Sequence, residues 1–347
     1  MKMKQMQALI KTTPENAEIQ TIPIPDPGKD QVLMRVKAAA LCGTDLHVYH
    51  WNSWAQHAGI PLPMVMGHEC CGDVVALGEN VKEVQVGDKV VAETHIPCGN
   101  CYQCLNGEPH ICRNLKIFGI HMDGCFAEYA VVPAVCARKI PVEIPYQVGA
   151  VMEPLGTALR SAHETEVAGA VVVVLGCGPI GLFTIASAVA LGAATVIASD
   201  ISSLRLDIAS RMGADITLNP LNDDIVNTVL AATDQNGADV IIDASGNVAA
   251  IKQGFACLRK GGRVALIGLP DQPIELELGK EVVFKEAKII GIHGRKMFNT
   301  WTRMENLLVS EKIDILPAIT HTLPLSQWKE GIDLAISGEA CKVIYEP

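Results

Sequence analysis

Between Met6 and Ala40 apolar and polar positions alternate in short runs separated by Pro and Gly, as in Gln31-Val-Leu-Met-Arg-Val-Lys37. A period of two over such runs predicts antiparallel strands with one buried face. Residues 74–77 and 89–92 continue the pattern, and residues 126–132 and 135–140 predict two more strands. This part of the chain is β-rich and loop-rich, a scaffold suited to presenting side chains from its connections.

After Pro145 the period changes. Residues 149–163 have helical spacing, and from residue 170 strand and helix signals alternate, which predicts βα units around a parallel sheet. Residues 171–175 are an unbroken β-branched run, the texture of a central parallel strand buried on both faces. Further units follow: helix 182–191 closed by Gly192, strand 194–199 ending at Asp200, helix 204–212, strand 215–218, helix 223–232, strand 240–244, helix 248–258, strand 263–267 and a last strand at 288–292. The expected fold class is α/β. Residues 1–155 and 293–347 are expected to form one β-rich domain, and residues 156–292 a Rossmann doubly wound parallel sheet.

Composition narrows the function. A chain of 347 residues has room for two cores. A net charge of −10, with no run of Lys or Arg, argues against a nucleic-acid partner. The longest apolar stretch, residues 168–175, is far too short to span a bilayer, and Met1–Lys11 lacks a signal-type apolar run. The twelve cysteines are diluted over a large chain, which suits small buried thiols in a reducing cytoplasm.

Two groups of residues have metal-ligand chemistry. Cys98-x2-Cys101-x2-Cys104-x7-Cys112 offers four thiols in one loop, the donor set of a closed, structural zinc site. Cys42, His68 and Glu69 mix sulfur, nitrogen and oxygen, and leave room for water or substrate, as a catalytic zinc site does. Thr44, two residues after Cys42 in what reads as a loop or extended backbone, can turn its hydroxyl toward the same cleft. His47 follows, with the one side chain type that ordinarily exchanges protons near neutral pH.

The run Gly176-Cys177-Gly178-Pro179-Ile180-Gly181 follows a buried strand, opens a helix, and is succeeded by an acid, Asp200, at the end of the next strand. That context makes it a dinucleotide fingerprint. Gly176 allows the tight turn, Gly178 lets the backbone approach a pyrophosphate at the helix N-terminus, and Gly181 lets helix and strand pack closely. Asp200 is placed to accept ribose hydroxyls and to repel a 2′-phosphate, which favours NAD over NADP. Arg205 nearby pulls the other way.

The pattern Gly67-His68-Glu69-x2-Gly72-x-Val74-x3-Gly78-x2-Val81-x5-Gly87-Asp88-x-Val90 resembles the signature of zinc-containing medium-chain alcohol dehydrogenases. The resemblance implies a GroES-like catalytic domain, two zinc ions per subunit, and oxidation of a secondary alcohol to a ketone with hydride transfer to NAD. It implies a proton relay through Thr44 and His47, an acid near the zinc at Glu153, and a homotetramer. Cys42–Trp54, with Pro61-Leu-Pro63-Met-Val-Met-Gly-His-Glu, and His293-Gly-Arg295-Lys-Met-Phe298-Asn-Thr-Trp301 look like the L-threonine 3-dehydrogenase branch, with polyol and cyclitol dehydrogenases next. Two stretches depart from that branch. Gly156-Thr157-Ala158-Leu159 replaces a Gly-Asn-Ala-Val sequence, and Gly119-Ile-His121-Met-Asp123-Gly lacks an arginine, which weakens the case for a carboxylate-bearing substrate. A cofactor-binding relative without metal chemistry, as in quinone-reductase-like proteins, is disfavoured because Cys42, His68 and Glu69 are all present.

Overall fold

The computed structural model describes residues 4–270 and 272–347; the first three residues of the Met1–Lys11 stretch lie outside that range. In chain order the elements begin with β1 (Gln5–Thr13), β2 (Asn16–Pro23), β3 (Gln31–Ala40), α1 (Gly43–His50), α2 (Ser53–His57), β4 (Met64–Val65), β5 (Glu69–Leu77) and β6 (Lys89–Ala92). Next come β7 (His95–Ile96), α3 (Tyr102–Leu105), β8 (Lys116–Ile117), β9 (Tyr129–Pro133), β10 (Ala137–Lys139), α4 (Tyr146–Ala150) and α5 (Met152–Glu164). The βα series is β11 (Val171–Leu175), α6 (Pro179–Ala190), β12 (Thr195–Ser199), α7 (Ser203–Arg211), β13 (Ile216–Leu218), α8 (Ile225–Ala232), β14 (Ala238–Asp243), α9 (Val248–Cys257), β15 (Leu258–Leu266) and β16 (Lys288–Gly291). It is followed by α10 (Asn299–Val309), β17 (Ile319–Pro324), α11 (Trp328–Ser337) and β18 (Lys342–Glu346).

The contacts divide the chain into two units, one comprising the chain up to Glu153 with Ile319–Pro347, the other Pro154–Ala318. The expected return at residue 293 and the observed one at Ile319 differ by α10, which groups with the parallel sheet. In the first unit a seven-stranded sheet runs β10-β6-β5-β3-β18-β17, with β9 also paired to β3, and a three-stranded sheet runs β2-β1-β4. All pairs are antiparallel except β17 with β18. β3 is the hub of the large sheet, and its Val32, Met34 and Val36 anchor a core with Val74, Val90, Phe126 and Tyr345. Burying each such side chain contributes about 1.5–3 kcal/mol.

The second unit is a six-stranded, wholly parallel sheet in the order β13-β12-β11-β14-β15-β16. The order reverses between β11 and β14, and in open α/β sheets ligands bind beyond the carboxyl ends of strands at such a point. Val172, Val173 and Val174 are fully buried, as expected for the central strand. α6 starts at Pro179, three residues earlier than the periodicity suggests, because Gly178 serves as N-cap and Pro179 is preformed for the first helical position.

One local reading is corrected. Thr44 does not lie in loop or extended backbone, since Gly43–His50 is helical. Cys42 is its N-cap, and Asp45 Oδ2 accepts from Cys42 N at 2.9 Å, closing the first turn as a capping box does. Among the described residues, no helix is long and apolar enough to cross a membrane.

Candidate active site

Strand register brings the first metal group together. Ala40 at the end of β3 is paired with Glu69 at the start of β5, so the two segments that leave this edge, Leu41-Cys42 and Gly67-His68, lie side by side. Cys42 then turns into α1, and one donor atom each from Cys42, His68 and Glu69 fall within 4.8 Å of one another. Ligands at about 2.0–2.3 Å from a shared zinc fit inside that span. His68 and Glu69 are buried. Asp45, also buried, places Oδ1 3.3 Å from His68 Nδ1, which leaves Nε2 for the metal and orients the ring as carboxylate–histidine pairs do at zinc.

The electrostatics favour a cation here. Burial opposes protonation of His68, yet Asp45 and Cys42 outweigh it and hold the imidazole well above its ordinary range. Burial pushes the Glu69 carboxyl up, against the Lys342 ammonium, whose Nζ lies 2.5 Å from Glu69 Oε2. Lys342 is itself held up despite burial, chiefly by Glu69 and then by Cys42, and it donates to Leu41 O at 2.8 Å. Among the described residues nothing donates a hydrogen bond to the buried Glu69 Oε1, which suits a carboxylate oxygen that faces a metal. The residues therefore fit a zinc ion.

Thr44 Oγ1 lies 3.7 Å from Cys42 Sγ, and His47 follows on the same helix at i+3, the spacing that puts two side chains on one face. Glu153, the first-turn acid of α5, accepts from Thr94 Oγ1 at 3.0 Å and contributes negative charge at Glu69.

Cys98, Cys101, Cys104 and Cys112 form the second group, bracketed by the β7–β8 pair. Cys101 Sγ lies 3.5 Å from Cys104 Sγ and 3.7 Å from Cys112 Sγ. A covalent S–S bond is about 2.05 Å, whereas a tetrahedron with metal–sulfur bonds of about 2.3 Å has edges near 3.8 Å. The spacing fits four thiolates around one zinc ion and makes this a candidate structural site. The N–H of Cys104 is the main cause that brings the Cys101 thiol down to about 6, and the N–H groups of Cys98 and Asn114 point at Cys112 Sγ, each at 3.3 Å. The seven other cysteines beyond Cys42, from Cys70 to Cys341, are all buried thiols, as their scattered placement suggested.

In the second unit, Gly176 (φ +87°) turns the chain at the end of β11; a Cβ there would sit 2.8 Å from Ser245 Cβ. A Cβ on Gly181 would come within 1.8 Å of Gly176 O, whereas one on Gly178 would meet no protein atom within 4 Å, leaving that space to a ligand. Pro179 and Ile180 occupy the first turn of α6. Asp200 accepts from Cys177 N at 2.7 Å and Ser202 N at 2.8 Å, binding the glycine loop to the end of β12. A cavity of about 500 Å³ opens here, lined by Gly176, Gly178, Asp200 and Arg205 among others. Arg205 Nε is buried without an acceptor.

Two contributors were not singled out from sequence, Asp45 and Lys342. Asp45 carries a local signal, since an acid three residues after Cys42 completes a capping box. Lys342 carries none, because a lysine at the start of a strand ordinarily reads as solvent-facing.

The family model for the alcohol dehydrogenase GroES-like domain matches residues 28–142, and that for zinc-binding dehydrogenase matches residues 179–310. The chain is 44% identical to L-threonine 3-dehydrogenase of Bacillus subtilis over the full length of both. In structure it resembles a zinc-binding dehydrogenase from Sinorhizobium meliloti 1021 bound to NADP, with TM-score 0.92, 31% identity, and 99% and 100% of the two chains covered. It also resembles a structure described as a short chain alcohol dehydrogenase from Escherichia coli CFT073 in complex with NADH, with TM-score 0.90, 29% identity, and 99% of each chain covered.

Proposed function

The chain belongs to the zinc-binding alcohol dehydrogenase family, and from that premise we propose that it oxidises the secondary hydroxyl of L-threonine to a ketone, with hydride transferred to NAD. The observation that carries the reading is the buried group Cys42, His68 and Glu69 at the head of α1, with Thr44 and His47 on the same helix. Cys42, His68 and Glu69 would hold a zinc ion, which supplies a Lewis acid that brings loss of the hydroxyl proton within reach near neutral pH. Thr44 accepts that proton through its hydroxyl and passes it one turn along α1 to His47. His47 is exposed and hands it to solvent. Glu153 is the acid beside Glu69 and would be available to the same zinc. Cys98, Cys101, Cys104 and Cys112 would hold a second zinc, whose part would be to fix their loop.

Gly176, Gly178, Pro179, Ile180 and Gly181 receive the cofactor pyrophosphate at the start of α6, and Asp200 accepts the ribose hydroxyls. The Asp200 charge disfavours a 2′-phosphate, so the cofactor is NAD; Arg205 borders the ribose end of the cavity. A homotetramer fits the open edge of the parallel sheet: among the described residues β16 pairs on one side only, and Ile289 on it and the nearby Val283 and Phe284 are exposed. Buried cysteines scattered through a large chain suit a reducing cytoplasm.

NADH formation by zinc-loaded protein with L-threonine, beside a panel of polyols and cyclitols and a Cys42→Ala control, tests this. Threonine turnover that vanishes in the control is expected. Turnover of polyols alone would overturn the substrate and keep the chemistry.

A further inference from the structure

Thr94 lies in the short step between β6 and β7, and its surroundings fix the backbone on both sides of it. Glu93 N donates to Cys136 O at 2.8 Å, while Glu93 Oε1 accepts from His95 N at 2.9 Å and lies 2.7 Å from His95 Nδ1. Thr94 O accepts from Phe118 N at 2.9 Å. Glu93, Thr94, His95 and Phe118 are all buried. A β-branched side chain on a backbone held in this way has few rotamers open to it. Its Oγ1 donates to Glu153 Oε1 at 3.0 Å.

Glu153 is near the catalytic group and yet outside it. The donor atoms that fall within 4.8 Å of one another come from Cys42, His68 and Glu69, and no Glu153 oxygen joins them. Glu153 stands close enough that its charge, after burial, works against a carboxylate at Glu69. An acid at that range would be drawn toward a dication. A fourth protein donor would then fill the position that a catalytic zinc keeps open. The Thr94 hydroxyl, anchored by the backbone around it, works against that pull.

We propose that Thr94 is a positioning residue of the metal centre: its hydroxyl holds Glu153 beside the zinc ligands instead of among them, and so keeps one coordination position for the alcohol oxygen. The hydrogen bond and the ion compete for the same carboxylate. Without the hydroxyl, Glu153 turns to the ion, and an incoming substrate has to displace it. The role rests on Cys42, His68 and Glu69 holding the ion, as proposed above.

Cobalt(II) exchanged for zinc reports on this through its visible bands, and subtracting the Cys42→Ala spectrum isolates the ion at Cys42. Azide, a small anion that needs an open position, is titrated into the cobalt protein with no substrate present. Thr94→Val should need about ten- to a hundred-fold more azide for half saturation, the strength of a hydrogen bond to a charged group. KM for alcohol oxidation should rise by a similar factor, with kcat changed only a few-fold. Thr94→Ser keeps the hydroxyl and should titrate like wild type. In a Glu153→Gln background Thr94→Val should have no further effect, because a neutral amide competes poorly for the position. A purely structural role for Thr94 would lower the melting temperature and leave the azide midpoint in place. An unchanged midpoint in Thr94→Val, or a shift of equal size in the Glu153→Gln background, would overturn the proposal. If Cys42→Ala and wild type give the same cobalt spectrum, the ion is not at Cys42, and the ligand reading fails together with the proposal.

Discussion

Lys342 Nζ and Glu69 Oε2 lie 2.5 Å apart in a place where neither side chain reaches solvent. The pair joins a strand near the C-terminus to the metal group, and its partners are not equivalent. Glu69 has a second possible counter-charge, the zinc, whereas Lys342 has Glu69 and the Leu41 carbonyl.

Removing one member of a buried pair typically costs about 3–5 kcal/mol, because the other charge stays behind. Lys342→Met should show a loss of that order in urea unfolding of chelator-treated protein, and a clearly smaller loss once zinc is loaded. Equal losses in both states would mean that Glu69 does not face the ion.

The four-cysteine loop should separate from the chemistry. Cys112→Ser is expected to bind one zinc per subunit instead of two, to melt at lower temperature, and to keep kcat per folded subunit within a few-fold. Metal analysis beside calorimetry and turnover checks this. Full stability with complete loss of activity would contradict a structural site.

Two glycines three residues apart in the motif, Gly178 and Gly181, make a matched pair. A Cβ on Gly181 would collide with Gly176 O at 1.8 Å, so Gly181→Ala should destabilise the unit by about 1–3 kcal/mol through overpacking. A Cβ on Gly178 meets no protein, so Gly178→Ala should melt like wild type and yet raise the dissociation constant for NAD, read by fluorescence titration. Unchanged NAD binding in Gly178→Ala would move the pyrophosphate elsewhere.

Lys139 Nζ, 2.7 Å from Asp88 Oδ1, and then the N–H of Gln85 hold the Asp88 carboxyl below its ordinary range. A depressed native value stabilises the fold above the unfolded carboxyl's titration near pH 4, and that share is lost as pH falls through the native value. Lys139 is largely exposed, so the pair is worth at most about 1 kcal/mol. Asp88→Asn should be slightly less stable than wild type at pH 7, and the difference should shrink as pH falls below the ordinary carboxyl range. A difference that persists at low pH would point to packing.

Much of this architecture is written in local pattern. The β-branched run of β11, the strand Lys89–Ala92, the glycine motif and the four-cysteine loop each depend on residues close together in sequence, and each stands where the pattern places it. α1 was harder to read, because only Asp45 and Val48 of its eight residues are buried and it presents almost no apolar stripe. Its helicity comes from the Cys42–Asp45 cap instead of a hydrophobic face. Lys342 was illegible for another reason. Four successive residues of β18 are buried, so alternation does not distinguish inward from outward positions, and its partner is on a strand far upstream. Tertiary pairing of this kind leaves no period in the sequence.

The separation between the two metal groups also sets an order in time. The four thiols of the loop lie within fifteen positions and emerge from the ribosome together, so that site can fill while most of the chain is still unmade. The catalytic group has its three ligands early, but the ammonium that balances Glu69 arrives on β18, long after all three. A nascent chain halted before Lys342 should thus load the loop and leave the catalytic carboxylate uncompensated. The catalytic carboxylate therefore gains its counter-charge only once the chain has been made as far as Lys342.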